Sequence, residues 1–357
     1  MARGLLTIDL DAVVANWRAL AARTAPAECA AVVKADAYGV GAAQVAPALA
    51  AAGARTFFVA LPEEALALRA ILGPGPVIYA LNGCDAAELA ELRAADIRPV
   101  LNSPAQIAAF RSAPTPCALQ LDVGMNRLGL EPAELAALLD ADLPAPALVM
   151  AHLSCSDDPV HPASAAERAR FEAMTAHPRL AGLPRSLAAT GGVLLGPAFH
   201  FDLVRPGVGL YGGLPFVGAR PAVALDIPVL QIRDVAAGEA VGYGGAWIAP
   251  RPSRIATISI GYADGLKRGA KCVAHHAGRA LPIVGRVSMD LVTLDATDAP
   301  DLAAGDRVAL LGPDQGVDAL AAATGTIGYE VLTSLGRRHQ RRYVGSKGTR
   351  PGAELAC

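Results

Sequence analysis

From about residue 28 the chain alternates short apolar runs with Ala/Leu/Glu-rich stretches, the grammar of parallel strands joined by crossover helices. The candidate strands are AAVVKAD (30–36), TFFVAL (56–61), VIYAL (77–81), RPVL (98–101), ALQLDV (118–123), ALVMAHLS (147–154), SLAAT (186–190) and DLVRPGV (202–208). Between them lie PEEALALRAIL, DAAELAELRAAD, SPAQIAAFRSA, EPAELAALLDAD and SAAERARFEAMTAH. Several of these open on Ser, Asp or Pro with Glu in the first turn, as a helix start requires. Eight such units over roughly two hundred residues favour an α/β fold closed as a (β/α)8 TIM-type barrel over an open doubly wound sheet.

After about residue 222 the pattern changes to alternation and turn residues. DIPVLQIRDVAAGEAVGYGGAWIAP, SRIATISIGYADG, LPIVGRVSMDLVTLDATD and DRVALLG read as strands joined by Gly- and Asp-rich turns, with one short helix in GVDALAAATG. The chain therefore divides into a barrel over 1–222 and a smaller, mainly β C-terminal domain over 223–357, connected by GGLPFVGARPAV (212–223). The N-terminal LLTIDL, within residues 1–10, is available as a strand of the second domain.

A length of 357 residues supports this two-part organisation, and 53% hydrophobic residues fill a large core. A net charge of -2 with no basic stripe gives no reason to expect nucleic acid as a partner. The opening segment carries Asp9 and Asp11 and no cleavable apolar core, and no apolar run matches a bilayer span, so a cytoplasmic address away from membranes is expected. Six cysteines, at 29, 84, 117, 155, 272 and 357, form no CxxC pair and read as buried thiols rather than metal ligands.

Lys34 ends an almost wholly apolar strand and is followed at once by ADAYGVG. The C-terminal lip of a barrel strand is where such folds place catalysis, and burial there lowers an amine's pKa toward a neutral nucleophile. Taken alone, a lysine snorkelling from a strand end fits equally well. The surrounding segment, VVKADAYGVG, resembles the cofactor-lysine motif of the alanine racemases, KADAYGHG, with Val40 in place of His. The resemblance continues in family order through DVGMNRLG (122–129), AHLSCSDD (151–158), DLVRPGVGLYG (202–212), VGYGGAWIA (241–249), SIGYADGLKR (259–268) and VGRVSMDLVTLD (284–295).

The resemblance implies a pyridoxal 5′-phosphate-dependent isomerase, with Lys34 holding the cofactor and alanine the substrate. It assigns the ring nitrogen to Arg205, whose guanidinium keeps its proton and so leaves that nitrogen unprotonated. Phosphate donors carried over are Tyr38, Thr190, where the family usually has serine, the amides of Gly207 and Val208, and Tyr343. Racemisation needs a base on each face of Cα, and the resemblance gives these roles to Lys34 and to Tyr243 of a partner subunit, tuned through His152. Arg127 and the Met289 amide would meet the substrate carboxylate, while Tyr262 and Asp290 would line the pocket entrance. A homodimer with shared active sites follows. One departure is Gln120, which stands where many members carry a carbamylated lysine; Gln120, or an anion such as chloride beside it, is expected to orient Arg127 through hydrogen bonds.

Gly207, Gly209 and Gly212 spell the GxGxxG of dinucleotide-binding dehydrogenases, but Pro215 and Pro221 interrupt the helix that motif requires. Related decarboxylases pair the ring nitrogen with a carboxylate, against Arg205. A non-catalytic cofactor-binding barrel would have no use for Tyr243, and a serine or broader-specificity racemase remains an alternative on the same scaffold. D-alanine for peptidoglycan and L-alanine for catabolism would both come from one reversible reaction.

Overall fold

The computed structural model describes residues 3–111, 115–140 and 146–345. They form two compact units: Val13–Leu210 with Leu214–Ala219, and the described residues among 1–12, 211–213 and from 220 onward. Cys357 lies outside the described residues.

In the first unit seven parallel strands follow one another in chain order: Ala31–Val32, Thr56–Val59, Val77–Ala80, Ile97–Leu101, Ala118–Gln120, Leu148–Met150 and Arg185–Ser186. The eighth, Leu203–Val204, closes the ring. It pairs in parallel with Glu28–Cys29, and on its other side the Arg205 amide donates to the Ala188 carbonyl at 2.8 Å. All four residues of Thr56–Val59 are buried, as expected for a strand covered on both faces. Helices opening on Pro62, Pro104, Pro132 and Pro162 place the missing N–H of proline where a helix has no use for it. Their apolar faces close over a core that includes Phe110, Leu119, Val149 and Phe171.

Two expected strands end early. Within SLAAT only Arg185–Ser186 is strand, and Thr190 starts the helix Thr190–Leu194. Within AAVVKAD the strand stops at Val32, and Lys34 opens a turn of unusual hand.

The second unit is an eight-stranded, largely antiparallel sheet. Its long strand, Val223–Val235, pairs with Leu5–Asp9 and Arg307–Leu311 through its first half and with Ser253–Ile258 through its second, across a register shift between Val229 and Gln231. Because Ser253–Ile258 also pairs with Val292–Asp295, the sheet curls back on itself. Leu5–Asp9 is a strand of this unit and runs parallel to Gln340–Val344, with Ile8 opposite Tyr343. GVDALAAATG yields the helix Val317–Ala323, and a second helix, Gly328–Ser334, follows it. Among the described residues no helix is long and apolar enough to cross a membrane.

Candidate active site

At the C-terminal ends of the barrel strands the chain after Lys34 takes left-handed geometry for four residues, none of them glycine. Ala35, Asp36 and Ala37 have φ/ψ of 52/49°, 53/50° and 54/53°, and Tyr38 has φ 56°. At about 1–2 kcal/mol per residue such a run costs on the order of 4–8 kcal/mol, so other contacts must hold it. Glu64 is the main one. Its carboxylate accepts from the Ala35 amide at 2.6 Å and from the Ala60 and Leu61 amides at 2.8 and 3.1 Å, tying the ends of two neighbouring strands. Asp36 accepts from the Ala42 amide at 2.8 Å, and Gly39 (φ 82°) and Gly41 (φ 106°) supply the backbone that leads into the next helix.

The turn delivers the Tyr38 phenol to the strand-end loop at Gly207. A side chain on Gly207 would collide with the Tyr38 hydroxyl oxygen and lie 2.9 Å from its Cζ. On the other side Thr190 Oγ1 accepts from the Gly207 amide at 3.0 Å and the Gly209 amide at 3.3 Å, which leaves its own proton to donate elsewhere. No described group accepts from the Val208 amide. Tyr38, Thr190, Gly207 and Val208 are thus brought together. The Gly207 amide, expected as an anion donor, is already engaged by Thr190.

Arg205 is buried and forms no ion pair with a described carboxylate. Its guanidinium donates to Ser186 Oγ and, at 2.6 Å, to the Ala151 carbonyl. Its Cζ lies 5.9 Å from the centroid of the Phe58 ring, which stacks on Tyr79 at 4.9 Å. Burial pushes the guanidinium down to about 9, still charged at neutral pH. His152 is pushed down to about 3, first by burial and then by the positive charges of Arg205, Arg127 and Lys34, so its imidazole is neutral. Lys34 is held below the ordinary lysine value by burial and by Arg127, with Glu64 acting the other way.

Arg127 is exposed on its loop and hydrogen-bonds to no described residue. A direct hydrogen bond from Gln120 to Arg127, one of the two expected arrangements, is not formed among the described residues. Gln120 is buried, and its side-chain amide donates to the Leu121 carbonyl at 3.4 Å. Loop geometry instead comes from Asp122, which accepts from the Gly124 and Asn126 amides at 2.8 and 3.2 Å, and from Arg170, which donates to the Val123 carbonyl at 2.7 Å.

In the β unit, Tyr243 opens a one-turn helix, Tyr243–Gly245, and is 70% exposed. Tyr262 and Met289 are also exposed, and their loops touch: the Tyr262 amide donates to Ser288 O at 3.1 Å and the Ala263 amide to Met289 O at 3.0 Å. Asp290 is bound to Arg338 at 2.7 Å. Tyr343 sits within its edge strand.

Glu64, Ser186 and Arg338 are the residues that sequence reasoning missed. Glu64, a carboxylate at the third position of a helix that follows a strand, carries a capping signal that points to it. Ser186 and Arg338 act through distant partners, and nothing local marks them.

The profile described as "Alanine racemase, N-terminal domain" matches residues 8–215, and "Alanine racemase, C-terminal domain" matches 222–343. The chain is 54% identical over 349 residues to an alanine racemase of Cereibacter sphaeroides, covering 96% of this chain and 99% of that one. It is 52% identical to an alanine racemase of Jannaschia sp., with 96% and 99% covered. Among solved structures it resembles the alanine racemase of Bartonella henselae with covalently bound pyridoxal phosphate, at TM-score 0.90, 41% identity and coverage of 96% and 100%. The biosynthetic alanine racemase of Pseudomonas aeruginosa matches at TM-score 0.89, 39% identity and coverage of 97% and 100%. The chain belongs to the alanine racemase family.

Proposed function

We propose that the chain interconverts L- and D-alanine with pyridoxal 5′-phosphate, as a cytoplasmic homodimer whose two active sites each draw residues from both subunits. The observation that carries this reading is Arg205: a buried, charged guanidinium with no carboxylate partner among the described residues, set at the strand ends beside the neutral His152. It suits a neutral ring nitrogen as acceptor. The Tyr38 phenol against Gly207, the free proton of Thr190 and the Val208 amide fit a phosphate.

Lys34 would carry the cofactor, Arg205 would meet its ring nitrogen, and Tyr38, Thr190, Val208 and Tyr343 would serve its phosphate. When bound, the cofactor withdraws electrons from the substrate Cα and makes its hydrogen acidic. The remaining work falls to side chains. Lys34 Nζ, held toward its neutral form, takes or returns the proton on one face of Cα, and the Tyr243 hydroxyl of the partner subunit does so on the other. Arg127 and the Met289 amide hold the carboxylate, which fixes Cα between the two bases, and Tyr262 and Asp290 narrow the entrance against larger side chains.

The reading is tested by loading the purified chain with pyridoxal phosphate and following D-alanine formation from L-alanine by chiral chromatography. Turnover that is lost in Lys34→Ala supports it. Wild-type protein that binds the cofactor without racemising alanine overturns it.

A further inference from the structure

We infer that Arg338 is a positioning residue for the substrate-carboxylate site, locking the loops that carry Tyr262 and Met289 into one platform; this rests on the roles proposed above for those two residues. The guanidinium grips both loops. Its Nε and one terminal nitrogen bind the two oxygens of Asp264 at 2.7 and 2.8 Å, and its other terminal nitrogen binds Asp290 at 2.7 Å. Asp264 is buried and belongs to the Tyr262 loop, where its second oxygen also accepts from the Gly261 amide at 2.9 Å. Asp290 follows Met289 directly.

Under this clamp the two loops touch through bare backbone. A Cβ on Gly261 would collide with the carbonyls of Met289 and Ser288, so only glycine permits the approach. The Ser288 amide closes its own turn on Leu291 O at 3.0 Å, while no described group accepts from the Met289 amide. An N–H held without a partner on a fixed turn is a donor set aside for a ligand. Arg338 and Asp290 are each about half exposed, at 52% and 53%, so as a lone ion pair they would add little stability. What the planar, two-pronged guanidinium supplies is direction, fixing where the Met289 amide and the Tyr262 ring point.

The test is steady-state kinetics of cofactor-loaded Arg338→Met and Arg338→Lys, with the cofactor absorbance band recorded for each. Loss of the clamp weakens carboxylate binding more than proton transfer, so KM for alanine should rise about tenfold in Arg338→Met while kcat changes by less than about threefold. The absorbance band stays that of the wild type, because Lys34, Tyr38, Thr190 and Val208 belong to the other unit. Arg338→Lys restores only part of the KM, lacking the fork. Free guanidinium ion added to Arg338→Ala should lower its KM where ammonium does not, a response that general destabilisation would not give. If Arg338→Met fails to fold, Asp290→Asn, which leaves the Asp264 grip intact, is read in the same way. An unchanged KM in a folded, loaded variant overturns the inference while leaving the racemase reading intact; absence of racemisation in the wild type overturns that reading instead.

Discussion

Replacing Gly207 with alanine drives a methyl group into the Tyr38 hydroxyl, with Cζ of that ring 2.9 Å away. Gly207 does not depend on a left-handed backbone, so the effect is purely one of space. Tyr38 cannot turn aside cheaply: it is 7% exposed, and its own backbone ends the left-handed run. Overpacking of this kind costs about 1–3 kcal/mol. The displaced hydroxyl is one wall of the proposed phosphate cradle, so affinity for pyridoxal phosphate should fall by about 5- to 150-fold. Equilibrium titration of cofactor-free protein, followed by absorbance, reads this directly, with thermal denaturation in parallel. Tyr38→Phe alone should lose about one hydrogen bond, on the order of 1 kcal/mol. Because phenylalanine lacks the oxygen that the methyl would strike, the double variant should bind better than the sum of the single losses, with a coupling of about 1 kcal/mol or more. Unchanged affinity in Gly207→Ala, or losses that simply add, would refute the cradle.

Three further outcomes follow from the same geometry. Arg205→Met should leave Ser186 Oγ and the Ala151 carbonyl without their donor and lower the stability of cofactor-free protein by about 2–4 kcal/mol, measured by urea unfolding; a smaller loss would mean the guanidinium is not supporting the strand ends. His152 refuses a proton down to about pH 3 that the unfolded chain accepts near 6.5, so its contribution to stability is complete above pH 6.5 and is lost as the pH falls through that window. Wild-type protein should therefore lose on the order of 1–3 kcal/mol more than His152→Gln between pH 7 and 4, and parallel stability curves would count against a neutral buried imidazole. Glu64→Ala removes the acceptor for three strand-end amides and should slow cofactor loading by at least about tenfold, read as growth of the absorbance band; loading at the wild-type rate would show that the left-handed turn holds itself.

The barrel is legible in the sequence because each strand and helix unit is local: TFFV is apolar throughout, and proline at 62, 104, 132 and 162 marks where helices begin. Lys34 stands out at the end of an apolar run for the same reason, whereas Arg205 and Thr190 are marked only by the family resemblance. The left-handed run does not stand out. Ala-Asp-Ala-Tyr has no preference for positive φ, and its geometry is imposed by Glu64, 29 residues from Ala35 along the chain. The Gly328–Ser334 helix is hidden by GYEVLTS, whose glycine and β-branched residues read as strand or turn. Gln120 misleads in the opposite sense, since its place beside a family motif suggests a contact with Arg127 that its burial and its bond to Leu121 do not provide. Arg338 is silent locally, because both carboxylates it binds lie at least 48 residues away.

The central claim is a two-base racemisation shared between Lys34 and Tyr243, and the most direct test is L-alanine turnover in heavy water by wild-type protein and by Tyr243→Phe, each loaded with pyridoxal phosphate. The account predicts that wild-type protein makes D-alanine carrying deuterium at Cα, and that Tyr243→Phe forms D-alanine at a rate reduced by at least about two orders of magnitude. D-alanine formed by Tyr243→Phe at close to the wild-type rate would contradict it.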